Sequence, residues 1–407
     1  MSNTYKSTSI STWSICVTGL VLVLLTTVYA APLDPDNAAL LYYQAFLLCP
    51  DIDSFPHEIV RAVYHGAESS EDIGEYRKYV EGYQHVIQLV QAASNIQHCD
   101  WAIPYSIGWK VRAKLMPLTR SLSFLIAVNS RVLAADGDYK AALSQCFMLR
   151  RVARHIAEDP GQSNSIPVVI EKATLLCVNR ILDIMPPDEI TLKWLLGQLD
   201  ADPPISESLS MGIKRDFERT IRAISKDGAL LSNLRKKLIK KATNEEQRNK
   251  ALALTAEELI RLIREPYVEF LDSVLVVLSS ETTFEQKYAR IQRLSEEYRK
   301  QAENNPAIVM TLKIDADTLP GLYAVQVTHT ARFNAIKAAV EIYLLKAKTG
   351  QLPEALPNGL PKDPLTGEGF EYKITEEGFI LSSSCKSKDI LRYDVPQYKF
   401  KVQEYGT

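Results

Sequence analysis

Six histidines, six cysteines and a scatter of loop carboxylates are the residues of this 407-residue chain that are suited to chemistry. His57-Glu58 begins like a zinc-protease signature, in which a second histidine four residues on meets the same ion from the next helical turn. The next histidine here is His65. On a continuous helix an eight-residue separation is about 12 Å along the axis, and one ion cannot bridge it. His85, His98, His155 and His329 are single and scattered. Asp51-x-Asp53 and Asp315-x-Asp317 pair carboxylates in loops, but neither continues with the further oxygens and the glycine of a calcium loop. The sequence holds no Gly-x-Ser-x-Gly, no phosphate loop and no dinucleotide fingerprint. It therefore names no catalytic residue, no metal ligand and no cofactor.

Charge and cysteine usage narrow the setting. The formal net charge of -2 gives no global attraction to nucleic acid or to an anionic membrane. Lys6 precedes an apolar run from Ile15 to Tyr29, and Val28-Tyr29-Ala30 places short residues where a signal peptidase reads. Residues 1–30 are predicted to be a signal peptide cleaved after Ala30, which exports the chain to the periplasm or beyond. Left uncleaved, the same segment would be the chain's membrane anchor. Five cysteines follow it: Cys49, Cys99, Cys146, Cys177 and Cys385. In an oxidising compartment Cys49 and Cys99, both at helix ends, form the best candidate disulfide. Cys146 and Cys177 stand mid-helix among apolar neighbours and read as buried thiols.

Two groups of cations stand out. Arg235, Lys236, Lys237, Lys240 and Lys241 form a candidate interaction patch for an acidic partner, or a solvated helix face balanced by Glu245 and Glu246. Arg150, Arg151 and Arg154 raise a different question. If one of them points inward it requires a carboxylate, because an unpaired buried charge is costly.

The elements that must position these residues are mostly helices. Asp36–Leu48 with Asp36 or Asn37 as cap, 58–64, Ile73–Ala93, Arg112–Ala135, Tyr139–Ala157, Ile166–Met185, Asp188–Leu199, 206–227, Leu230–Ala242, Thr255–Ser279 and Phe284–Gln301 carry helical periodicity. Thr255-Ala256-Glu257-Glu258 fits a capping box. Arg112–Ala135, Asp136-Gly137-Asp138 and Tyr139–Ala157 look like one helix–turn–helix unit of a tetratricopeptide-type array. A long helix then runs from about Leu319 to Gly350, with Ile336, Ala339, Val340, Tyr343, Leu344 and Ala347 in its apolar stripe. Seven prolines and glycines between Pro353 and Gly369 impose a packed loop. Phe370–Ile374 and Phe379–Leu381 flank Glu376-Glu377-Gly378 as a hairpin. The expected fold is mainly α: a helical array of antiparallel pairs over 31–318, then a long helix, a small antiparallel β module and a tail over 319–407.

Thr349-Gly350-Gln351-Leu352-Pro353, Asp363-Pro364, Gly369-Phe370-Glu371-Tyr372 and Gly378-Phe379-Ile380-Leu381-Ser382 resemble the C-terminal part of the type II secretion major pseudopilin. The resemblance implies a long helix, a proline-rich loop and a small sheet, and it carries no catalytic residue. In that family the membrane segment is continuous with the helix, whereas here about three hundred residues intervene. The family's calcium loop has only Asp389 and Asp394 as carboxylates here, too few for a site needing six or more oxygens. The mature chain also resembles a family of uncharacterised exported bacterial helical proteins. The matching positions are Cys99, Asp100, Trp101, Arg120, Arg131, Gly137, Arg150, Arg154 and Pro160. That resemblance implies a fold and no mechanism.

The expected function is an exported envelope scaffold or binding protein whose partner is an envelope protein or polymer, with grooves between helix pairs as its surface. Two alternatives remain open at this point. One is an envelope hydrolase with dispersed acid and base. The other is a component of a secretion or pilus-like assembly.

Overall fold

A computed structural model describes residues 35–51, 73–102, 109–158, 165–204, 214, 221–222, 225, 228–305, 319–387 and 397–403. Several expectations lie outside the described residues: the signal peptide, the 58–64 helix, nearly all of 206–227, His57, His65, Asp53, Asp315, Asp317, Asp389, Asp394 and Pro160.

The described residues form twelve helices and one three-stranded sheet. In chain order the helices are α1 Ala38–Leu48, α2 Ile73–Glu81, α3 Gln84–Ser94, α4 Trp109–Ala135, α5 Tyr139–Glu158 and α6 Ser165–Ile184. They continue with α7 Glu189–Ala201, α8 Gly228–Lys241, α9 Glu245–Ala253, α10 Ala256–Ser279, α11 Phe284–Asn304 and α12 Leu319–Thr349. The strands are β1 Glu371–Thr375, β2 Gly378–Ser382 and β3 Gln397–Lys401. The fold is mainly α with a small C-terminal antiparallel module. No helix among the described residues is long and apolar enough to cross a membrane.

The centre is the α4–α5–α6 layer. Gly137 takes a positive φ of 82° in the Asp136-Gly137-Asp138 turn, and Asp138 caps α5 by accepting the Ala141 N–H. Ser130 Oγ donates to the Ala142 carbonyl at 2.9 Å, where small residues let α4 and α5 approach. The helix–turn–helix expectation holds in this hairpin. α1 and α2 pack on α4, α3 on α5, α7 on α5 and α12 on α6. The hairpin α10–α11 packs through α11 onto α12.

α12 is buried on nearly every face, from Ala331 and Phe333 through Ala339 and Val340 to Tyr343. Such a helix is an interior rod rather than a surface helix. It ends where Gly350 adopts a φ of 80° and its N–H returns to the Lys346 carbonyl. One continuous core joins α12 and the sheet to α1–α7, running across residue 319 without a break. A second, small core of Leu231, Leu234, Leu259 and Ile263 holds α8 to α10.

Three elements differ from expectation. The helix expected over Ile73–Ala93 is two helices, because Tyr83 leaves helical geometry (φ −124°, ψ 20°) just after Gly82, the poorest helix former in that stretch. The break lets α2 lie on α4 while α3 lies on α1 and α5. Helix α9, capped by Asn244, was not foreseen, and its exposed polar surface explains why it leaves no apolar stripe to read. The hairpin has a third strand. β3 pairs antiparallel with β2, with Tyr398 opposite Leu381 and Phe400 opposite Phe379. Its alternation of lysines with buried Tyr398 and Phe400 is the period-two signal of a strand.

Candidate functional site

Cys99-Asp100-Trp101 is a structural joint. The Asn37 side chain caps α1, accepts the Asp100 N–H at 2.9 Å and donates to the Asp100 carbonyl at 2.7 Å. The Asp100 carboxylate accepts the N–H of Ala102, which is held at a φ of 49°. Trp101 stacks between Tyr42 (5.3 Å) and Phe46 (6.0 Å), and its indole N–H donates to the His155 carbonyl at 2.9 Å. Tyr42 Oη lies 2.9 Å from His155 Nδ1 in the interior. Burial, reinforced by the charge of Arg151, lowers His155 to about 4, against the pull of a hydrogen bond to the Ile96 backbone. Burial lifts the Tyr42 hydroxyl far above the ordinary phenol range. The ring packing leaves this histidine neutral and enclosed, so it cements α1 to α5.

The candidate disulfide Cys49–Cys99 is not formed: neither cysteine is in a disulfide. Cys49 is the C-cap of α1, whereas His98 and Asp100, on either side of Cys99, bond to Ala38 and Asn37 at the other end of that helix. An 11-residue helix is about 16 Å long, more than twice the Cα separation that a disulfide spans. Cys146 and Cys177 are buried thiols, as their positions imply. Burial raises the Cys146 thiol beyond its ordinary range.

The arginines of the pattern separate by depth. Arg150 is wholly buried. Its Nε donates to Asp202 Oδ2 at 2.7 Å, and Nη2 donates to the carbonyls of Asp202 and Pro203 at 2.7 and 3.0 Å. Nη1 lies 3.3 Å from Glu171 Oε1, and the guanidinium sits 4.9 Å over the Phe333 ring. Arg154 pairs with the other oxygen of Asp202 and donates to the Pro203 carbonyl at 2.5 Å. Two cations and two carboxylates thus tie α5, α6, the α7 C-cap and α12 together. This is the carboxylate partner that an inward arginine demands. Arg131 is buried on α4 and Arg120 is exposed on it.

The basic patch is divided. Arg235 is half-buried and donates to the Leu254 carbonyl at 2.5 Å, bracing the α9–α10 junction. Lys236, Lys237, Lys240 and Lys241 are exposed on α8. Lys240 and Lys241 stand in the last turn, where the helix dipole favours cations.

The C-terminal module also uses its polar groups internally. Buried Asp363 accepts the Leu365 N–H and the hydroxyls of Thr366 and Ser383, which organises the proline-rich loop. Asp183 of α6 accepts the Lys401 N–H at 2.8 Å, and burial raises its carboxyl to about 6. Among the described residues no three His, Cys, Asp or Glu side chains gather as a metal site would require.

Among the described residues a groove of about 1060 Å³ opens between α10 and α11. Val268, Val276 and Leu294 line its apolar part, and Val276 is 63% exposed. Glu265, Glu269 and Asp272 stand on the α10 wall, and Arg290 and Arg293 on the α11 wall. Arg261 and Arg264 extend the α10 wall, Arg261 reaching back to Glu265 at 3.9 Å. None of these residues was singled out from the sequence. Acids spaced three to four apart facing arginines three apart look like ordinary solvated helix faces until the hairpin brings them together. In comparisons with known proteins, no family model, no curated protein and no solved structure matches the chain.

Proposed function

We propose that the protein is an exported scaffold or binding protein of the cell envelope that holds an envelope protein or polymer in the α10–α11 groove. The observation that carries this reading is the groove itself, an apolar floor between charged walls on a rigid helical hairpin. The other polar clusters brought together by the fold brace it from within. Export rests on Lys6, the Ile15–Tyr29 run and Val28-Tyr29-Ala30. A hydrolase is less well supported. Two carboxylates that act on a glycosidic bond must flank it, whereas Glu265, Glu269 and Asp272 share one wall.

The order of long helix, loop and sheet supports kinship of the tail with pseudopilins, and with it the assembly reading. The packing of α12 favours a different use. α6, α7, α11 and β3 surround that helix, so the module closes the core and leaves little of α12 for a filament.

The test is a photo-crosslinking residue in place of Val276 in cells that make the full chain, with Ile190, 77% exposed on α7, as the control position. Adducts specific to position 276 are expected; none, or the same adducts from both positions, would remove the groove as the docking surface. N-terminal sequencing of the protein recovered from the envelope is expected to begin at Ala31.

A further inference from the structure

The two walls of the α10–α11 groove carry opposite charges near its middle, acids on α10 and arginines on α11. The four-residue link from Ser280 to Thr283 makes α10 and α11 antiparallel neighbours. Tyr298 of α11 stacks on Phe270 at 4.6 Å and meets Tyr267 at 6.3 Å, which sets the register across the hairpin. In that register Asp272 and Arg293 lie within about one helical turn of each other in height; Glu269 lies about a turn farther from the link and Arg290 about a turn nearer to it. Among the described residues none of these four has an ion-pair partner. Where Val276 is exposed and Leu294 half-buried, the lining is therefore acidic on α10 (Glu269, Asp272) and basic on α11 (Arg290, Arg293), with Arg261 and Arg264 farther along α10.

A twofold axis along such a groove exchanges its walls and keeps their heights. It lays the acidic α10 wall of one copy on the basic α11 wall of the other, twice over, and closes the apolar floors on each other. We infer that the occupant of this groove is a second copy of the chain, with α10 and α11 of the two copies forming a four-helix interface. This rests on the reading of the groove as a docking surface and names the partner. A uniformly acidic or basic partner would meet like charge on one wall, whereas a copy of the same surface sets Asp272 near Arg293 of the other copy twice over, and like-charge contacts are what penalise wrong partners.

The experiment is sedimentation of the purified full chain across a concentration series and at low and high salt, with circular dichroism to verify folding. The wild type is expected to dimerise, more weakly at high salt. R290E/R293E, with two acidic walls, and E269R/D272R, with two basic walls, are each expected to weaken self-association by at least about tenfold. An equimolar mixture of the two variants is expected to restore a heterodimer, and the quadruple exchange in one chain a homodimer. A wild type that stays monomeric, or a dimer indifferent to both reversals, overturns the inference. A monomeric wild type that still gives position-276 adducts with another protein overturns only self-association and leaves the docking reading standing. Loss of those adducts as well removes both.

Discussion

Arg150 is a cation sealed from water, and its neighbours show what that requires. Asp202, Glu171 and two backbone carbonyls face it, and the Phe333 ring covers it. Removing the cation takes a buried positive charge away from Glu171 and Asp202 and leaves its two backbone carbonyls without their donor. Arg150→Met is therefore expected to lower stability by about 3–5 kcal/mol, measured by urea unfolding. His155 makes a separate prediction. In the fold it takes a proton only near pH 4, whereas its ordinary value is 6.5. Between those values the unfolded chain binds more protons, so this group makes stability fall as pH drops from 6.5 towards 4. Asp183 acts in the opposite sense. Its carboxyl titrates at about 6 in the fold against an ordinary 3.8, so its contribution falls as pH rises between those values. Urea titrations over pH 4–6 are expected to show a steeper rise of stability with pH in Asp183→Asn, and a lost or reversed rise in His155→Gln.

At the scale of elements, capping and turn chemistry settle most boundaries. Thr255 Oγ1 accepts the Glu258 N–H, and the Glu258 carboxylate accepts the Thr255 N–H. Donation to the Glu258 carboxylate from the Thr255 N–H and from the Thr255 hydroxyl depresses that carboxyl. Thr255→Ala is expected to cost about 1 kcal/mol in urea unfolding. Gly378 opens β2 at a φ of 154°, and a Cβ there would collide with the Phe400 carbonyl oxygen of β3. Gly378→Ala is expected to cost about 2–3 kcal/mol and to strip hydrogen-exchange protection from Gln397–Lys401 while sparing α4 and α5. The capping box, the Gly350 stop and the Glu376-Glu377 turn were legible because each is a local arrangement of a few residues. β3 was missed although its alternation is plain, because five residues far from the hairpin give no sign of which strand they will join.

Across the whole molecule, stability is not uniform. The main core includes parts of every helix from α1 to α7, with α10–α12 and the sheet, whereas α8 rests on the few side chains of the second core and α9 packs on α8. Their outer faces are charged and exposed. Hydrogen exchange read by mass spectrometry is expected to show α8 and α9 opening at lower free energy than α4–α6 and α12. Equal protection throughout would mean that the small core unfolds only with the large one. The central rod α12 ties the terminal module to the body, since Tyr343 donates to the Lys401 carbonyl at 2.5 Å and T-stacks on Phe379 of β2.

By itself the sequence determined the helical class, most helix positions, the α4–α5 hairpin and the β1–β2 hairpin, since periodicity, caps and turns are written within a single element or its ends. It also pointed to inward arginines and to thiols in the core. The tertiary structure alone decided what those residues do. Whether Arg150 meets a carboxylate depends on Asp202, fifty-two positions away. Cys49 and Cys99 fall at opposite ends of one helix because Asn37 binds Asp100 from sixty-three positions away. The groove, too, exists only where α10 folds back on α11. Spacing within an element is written in its own residues, whereas a site assembled across elements depends on how their buried faces pack, and no local pattern records that.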